Sequence, residues 1–240
     1  MSLIYNATFD SQTRVLSLLD KAGNVISSCE VPSKDVDDIT KPLTLTATAD
    51  NSGVKLWMSG TVNNTFEVDK GNGWEDYTIN TNIYLNAGES CKWRCKSHPS
   101  TQSNTQYVRF VMSGTIEASG NCNSMLSSNF ENITSISKYD HAFVALFQDC
   151  TSLTKAPLLP ATILPPYGYY YMFSRCTSLK EVRIAATTTA TGALGNWLSG
   201  VPATGDFYCD PNATIFSTNS SSGIPQNWTR RNLADYPVTP

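Results

Sequence analysis

The sequence predicts a mainly β protein with short helices: an antiparallel, β-sandwich-like N-terminal part, then a short repeat solenoid closed by a C-terminal cap. Three observations carry this. Apolar residues alternate with a period of two from Leu43 to about Ile116. The motif F-x-x-C-T-S-L begins at Phe147 and again at Phe173, an offset of 26 residues, within the range of one solenoid coil. Ser, Thr and Asn abound, long runs of helix formers are missing and charged residues make up only 15% of the chain, the composition of short strands and turns.

Three segments follow from the pattern. Residues 1–41 read as an N-terminal β-hairpin or attachment segment. TRVLSLLD and VISSCEV are its strands and KAGN its turn. SKDVDDITKP, polar and closed by Pro42, is an exposed loop or linker. Residues 42–118 form the antiparallel β-domain, with strands at LTLTATA, VKLWMSG, TFEVD, DYTINTNIYL, SCKWRCK and YVRFVMSG. NSG, VNN, KGNGW, NAG and HPSTQSNT lie between them, each a turn sequence.

Residues 119–240 carry the repeat. Leu146, Phe147 and Cys150 are spaced to share one face of a short helical turn, as are Met172, Phe173 and Cys176. In the strand after the second motif, Val182 and Ile184 should point inward and Glu181 and Arg183 outward. NCNSMLSSNFENITSI is a degenerate first coil and NWLSGVPATGDFYC a degenerate last one; terminal coils are expected to be atypical. The tail SSGIPQNWTRRNLADYPVTP should fold over the end as a cap anchored by Ile224 and Trp228.

The seven cysteines are an odd number in a chain whose first residues do not read as a secretory leader, which disfavours a disulfide framework. In a strand, Cys91 and Cys95 would stand ~13 Å apart, too far for a disulfide. They read as small core hydrophobes. Cys150 and Cys176, at one place in two coils, read as a packed column, because catalysis rarely needs its nucleophile twice.

The net charge of −3 argues against a nucleic-acid partner, which would call for a basic surface. No apolar run reaches the ~18–20 residues that span a bilayer, so no membrane insertion is expected. LLPAT at Leu158 lacks the glycine of a sorting signal. The N-x-S/T sequons at Asn6, Asn63, Asn132, Asn212 and Asn227 mean little outside a secretory route.

The unit LLPATILPPYGYYYMFSRCTSL resembles the BspA-type leucine-rich repeats of surface proteins from gut bacteria and their phages. There the pattern runs roughly L-P-A-T-x-L, a tyrosine before M-F, then G-C-T-S-L. The chain departs from it at Arg175, where glycine is usual, and at Pro165-Pro166. NWLSGV, GDFYC and GIPQNW look like the usual end of such arrays. The sheet region from PLTLTATADNSGVKLWMSG to FVMSGTIEASGN is similar to the β-domain that often precedes them. The resemblance covers about Pro42 to Trp228. It implies a leucine-rich-repeat solenoid and an adhesive or structural role, with no catalytic residue and no cofactor. A short N-terminal hairpin without a leader resembles the opening of phage virion proteins, which assemble in the host cytoplasm.

Nothing in the chain matches a catalytic motif: no H-E-x-x-H, G-x-S-x-G, Walker loop or Rossmann fingerprint is present. His98 and His141 read as surface or capping residues. Glu75 and Asp76, adjacent in a strand, should face opposite ways rather than flank a sugar. Asp35, Asp37 and Asp38 lack the glycine and distal glutamate of a calcium loop.

Contact chemistry points instead to PPYGYYYMF, where Tyr167, Tyr169, Tyr170 and Tyr171 sit beside a turn. Tyrosine offers a rigid apolar face and a polar tip. Tyr167, Tyr169 and Tyr170 are the leading ligand-binding candidates. Lys92, Arg94 and Lys96, on one strand face, could meet an anionic glycan, and Arg183 is a weaker choice. The expectation is a non-enzymatic phage virion protein that touches host glycans or proteins through its repeat and other virion proteins through its N-terminus. The alternatives are a purely structural virion component, a bacterial surface adhesin whose leader has been removed, and a polysaccharide-cleaving enzyme. No heptad or collagen-like repeat specifies a trimer, which leaves the oligomeric state open.

Overall fold

The computed structural model describes residues 6–10, 15–19, 22, 24–30, 39–98, 102–218 and 221–236. The chain divides into two compact units, Met1–Asp37 with Tyr236–Pro240, and Asp38–Asp235. The fold is mainly β, with short 3-10 turns such as Cys122–Met125 and Phe130–Asn132.

In the first unit, β1 (Asn6–Asp10), β2 (Val15–Leu19) and β3 (Val25–Glu30) form an antiparallel meander. The sequence suggested only the β2–β3 hairpin; NATFD lacks a clear alternation and was missed. The acidic run at Asp35, Asp37 and Asp38 lies outside the described residues.

The second unit begins with β4 (Leu43–Ala47), β5 (Ser52–Ser59), β6 (Thr65–Asp69), β7 (Trp74–Asp76), β8 (Ile83–Leu85), β9 (Ser90–Ser97), β10 (Tyr107–Ser113) and β11 (Ile116–Ser119). Alternation works as expected here. Leu43, Leu45 and Ala47 of β4, Cys91, Trp93 and Cys95 of β9, and Val108, Phe110 and Met112 of β10 are all buried. The strands β10-β5-β8 make one antiparallel sheet. A six-stranded sheet runs β12-β11-β4-β9-β6-β7, with β12 at Leu153–Lys155. The two sheets meet where the Trp93 ring packs edge-on against Phe110, centroids 5.2 Å apart.

DYTINTNIYL, expected to be one strand, is not. Asn80 takes a left-handed φ of 69°, and the Tyr77 hydroxyl donates to the Thr81 carbonyl at 2.6 Å while accepting from Leu56 N–H. These bonds fold residues 77–82 into a crossover from one sheet to the other, leaving β7 and β8 as short strands on either side.

After Gly120 the chain pairs in parallel. The remaining strands are β13 (Leu158–Leu159), β14 (Ile163–Leu164), β15 (Glu181–Ile184), β16 (Thr188–Thr189), β17 (Thr204–Cys209) and β18 (Asn227–Asn232). They form a parallel sheet β13-β15-β17-β18 and a parallel pair β14-β16. Bridges from Asn121 to Leu158 and from Ser135 to Ile163 extend the stacking back into NCNSMLSSNFENITSI. Ile224 and Trp228 are buried as expected, and the segment that carries Trp228 closes the parallel sheet at its end as β18. Asn227–Asn232 pair with β17 in parallel register.

The expected helical turns are replaced by a different backbone. Within segments 141–149 and 167–175, every fourth residue is left-handed: His141, Ala145 and Asp149, then Tyr167, Tyr171 and Arg175. The third segment repeats this at Gly192, Asn196 and Gly200. Amides alternate in their use. Val144, Leu146, Gln148 and Cys150 donate three residues back within the segment. His141, Phe143, Ala145, Phe147 and Asp149 donate to Pro166, Gly168, Tyr170, Met172 and Ser174 of the next segment. All of these amides are satisfied, the condition for burying such a backbone. A left-handed non-glycine costs about 1–3 kcal/mol and persists only where its surroundings hold it; the cross-segment bonds do so here.

One core joins the sheets to the stacked segments. The rings of Phe110 and Phe147 stack at 5.3 Å, and those of Phe147 and Phe173 at 5.4 Å. Trp197 and Phe216 prolong the column. Buried Cys150 donates its thiol to the Phe110 carbonyl and Cys176 to the Phe147 carbonyl. The cysteines are packing residues, as the repeat implied, and β10 acts as the layer beneath the first segment. Ser124 ties the junction: its hydroxyl donates to the Trp93 carbonyl and accepts from Leu43 N–H.

Candidate functional site

The tyrosine run falls on the second turned segment, 167–175. Its left-handed positions set which ring goes where. Tyr169 is fully buried beside Phe143. It is therefore not a contact residue, contrary to the expectation, because it stands four residues before buried Phe173, at the same place in a backbone whose left-handed turns recur every fourth residue. Tyr167, Tyr170 and Tyr171 are half-buried and form a row. Tyr167 stacks on His141 at 4.8 Å and meets Tyr170 edge-on at 5.5 Å; Tyr170 meets Tyr171 at 4.4 Å.

Two glycines of the next segment make this row possible. A Cβ on Gly192 would lie 2.6 Å from Tyr167 Cε1, and one on Gly195 would lie 2.6 Å from Tyr170 Cδ2. The rings lie flat on bare backbone. A hydrogen bond with Tyr171 is the main cause raising the pKa of Tyr170, with partial desolvation next.

Beside the row is a hollow of about 290 Å3, lined by Tyr170, Tyr171, Asn104, Tyr107, Gln148 and the chain at Val144–Ala145. Tyr107 comes from the start of β10, so the β-part and the turned segments build this wall together. Next to it, Asp149 is gripped by Arg175 through Nε at 2.5 Å and Nη2 at 2.9 Å, and by Arg109 at 2.8 Å. The Arg175 and Arg109 bonds hold the Asp149 pKa below its usual value against partial desolvation. The Arg109 guanidinium also covers the Trp57 ring. Sequence reading did not find Asn104, Tyr107 and Gln148. No local motif marks them, since they meet only when β10 packs under the repeat.

The cationic row is where the pattern placed it, on the outer face of β9, but it is not free. Lys92 pairs with Asp69, Arg94 with Glu67 at 2.7 Å, and Lys96 with Asp76 at 2.5 Å. Arg94 also lies over the Trp74 ring. Each charge is matched from β6 or β7, so the row presents little net potential to an anion. Asp69 is committed further, accepting from Gly71 and Gly73 N–H. The GNGW stretch is thus a turn closed by a carboxylate.

Arg183 corrects the outward expectation. Val182, Arg183 and Ile184 are all fully buried, because β15 lies between β13 and β17 in a parallel sheet covered on both faces. It cannot touch a ligand from solvent. Glu181, at the strand's start, is partly exposed and faces Lys155 at 3.7 Å.

Cys91, Cys95, Cys122, Cys150, Cys176 and Cys209 are buried, the opposite of a reactive setting. Burial pushes the Cys91 and Cys95 thiols up to about 12, and raises Cys122, Cys150 and Cys176 as well. His98 packs on Tyr139 and His141 on Tyr167, and burial lowers both imidazole pKa values. Glu75 is engaged by Lys70 at 2.6 Å and Asp76 by Lys96. Among the described residues no cluster of three His, Cys, Asp or Glu could hold a metal ion, and no helix is long and apolar enough to cross a membrane. Against known proteins, the chain matches no family model, no curated protein and no solved structure.

Proposed function

We propose that this is a non-enzymatic surface protein of a phage virion, whose repeat half adheres to the host surface or its glycans. The fold reading that goes with it is a β-sandwich-like part followed by a short leucine-rich-repeat solenoid of the BspA type, with β18 as its last layer. The parallel ladders, the stacked Phe147 and Phe173 and the thiol column support that reading. The N-terminal meander would dock to other virion proteins. No cofactor, nucleic acid or membrane is involved in this reading.

The observation that carries adhesion is the row of Tyr167, Tyr170 and Tyr171, kept half-exposed on a backbone whose alternate amides lock each segment to the next. Rigid aromatic faces lose little entropy on contact. The test is binding of labelled, folded protein to a panel of gut bacterial cells, with and without capsule. Saturable, capsule-dependent binding that Tyr171→Ala weakens is the expected result. No binding to any strain would refute adhesion and leave a ligand-free structural component of the virion.

A further inference from the structure

We infer that the hollow between β10 and the turned segments is a subsite for an uncharged pyranose, a neutral hexose unit of a surface polysaccharide. This rests on the adhesive reading above and gives it a ligand class.

The lining decides the class. Tyr107, Tyr170 and Tyr171 offer ring faces and phenol tips, and Asn104 and Gln148 offer planar amides; no charged side chain lines the hollow. A pyranose presents an apolar C–H face and an equatorial rim of hydroxyls. The first suits a tyrosine ring. The second suits an amide, which donates and accepts at once. The amide side chains of Asn104 and Gln148 make no hydrogen bond among the described residues.

The lining itself offers an acidic sugar no counter-charge. Arg109 and Arg175 both bind Asp149, a trio that keeps one net positive charge, and neither lines the hollow. A sugar carboxylate or sulfate placed here would lose water and meet only neutral amide and phenol donors, with no cation in the lining to offset the loss. The cationic row of β9, which might have suited such a glycan, is matched acid for base.

Size and stiffness fit a single ring. A hollow of about 290 Å3 lies at the small end of ligand sites. Its floor is held by the Ala145 N–H to Tyr170 carbonyl bond at 2.8 Å, and its far wall by Tyr171 N–H to Gly195 carbonyl at 2.9 Å. Arg109 anchors the remaining side through the Gln148 carbonyl. The walls are set before the sugar arrives, which lowers the cost of binding. One such subsite binds weakly; many copies on a particle would supply avidity.

The experiment is calorimetric titration and a glycan array on the whole chain. The neutral probes are maltose, lactose and mannobiose with the matching polysaccharides; the acidic probes are sialyllactose and hyaluronate. Cell binding is run in parallel. The expected result is binding of at least one neutral probe that survives high salt. Tyr107→Ala should weaken it about tenfold, the scale of one lost ring contact. Gln148→Ala and Tyr171→Phe, which remove a polar tip and spare the packing, should weaken it several-fold with unchanged melting temperature.

Binding of acidic probes alone, or neutral binding indifferent to all three substitutions, overturns the subsite and leaves adhesion standing. The same holds if cells bind while every carbohydrate fails. If neither cells nor carbohydrates bind, both readings fall.

Discussion

Phe147→Ala tests whether the sheets and the stacked segments are one cooperative body. Phe147 is fully buried, with Phe110 stacked on one side at 5.3 Å and Phe173 on the other at 5.4 Å. Truncating a buried phenylalanine costs about 3–5 kcal/mol. Two stacked contacts are lost together and the locked backbone on either side cannot collapse into the gap, so about 4 kcal/mol is the expected loss. The Cys176 thiol keeps its acceptor, which is a main-chain carbonyl. Against a stability of about 5–15 kcal/mol, with a urea dependence of about 3 kcal/mol per molar, the midpoint should fall by more than 1 M, roughly 1.3 M. Urea unfolding read by tryptophan emission and by far-UV circular dichroism checks this. Trp93 and Trp197 sit toward opposite ends of the column. The two probes should move together in variant and parent. A loss below about 1.5 kcal/mol, or a split into two transitions with the Trp93 end unaffected, would refute the shared core.

Three further outcomes follow from the packing. At pH 8 a disulfide reagent should leave Cys91, Cys95, Cys122, Cys150 and Cys176 unlabelled in folded protein and label them on unfolding, because burial raises every one of these thiols; rapid labelling of the native chain would contradict it. Asp149 has a lowered pKa, so its contribution is present above the unfolded value of 3.8 and is lost as pH falls through the lower folded value. Asp149→Asn should therefore reduce stability at neutral pH by under about 1 kcal/mol, given its exposure, and flatten the acid limb of the melting curve. Gly195→Ala should destabilise by about 1–3 kcal/mol through the clash with Tyr170. Tyr170→Ala on the same chain should recover part of that loss, and a double-mutant cycle by thermal melting would detect a lack of coupling.

How far the sequence could be read depended on how local each cause is. Strand alternation at Leu43–Ala47 and Ser90–Ser97 is local, and it placed Trp93, Cys91 and Cys95 inside. The repeated motif marked Phe147, Phe173, Cys150 and Cys176 as a column, and the column is there. The backbone that carries it was not legible. Apolar spacing at 146, 147 and 150 suits a helix, and only hydrogen bonds from the next segment favour the left-handed turns instead. Arg183 was misplaced for a related reason: alternation assumes a sheet with one wet face, whereas β15 is covered on both. Tyr169 and Tyr170 look equivalent in PPYGYYYMF, yet one is core and the other surface because they fall at different places in the four-residue turn repeat. The hollow was invisible, since Tyr107 and Gln148 are brought together only by tertiary packing.

The alternating amides have a consequence for solvent exchange. In the first turned segment, Val144, Leu146, Gln148 and Cys150 close their bonds internally, while His141, Phe143, Ala145, Phe147 and Asp149 depend on the neighbouring segment. Should two segments part briefly, the second group would take up deuterium while the first stayed shielded by turns that remain folded. Protection would then rise and fall from one residue to the next, a comb with a spacing of two in a stretch that contains no strand. Such a comb would report the opening between layers separately from the unfolding of either layer.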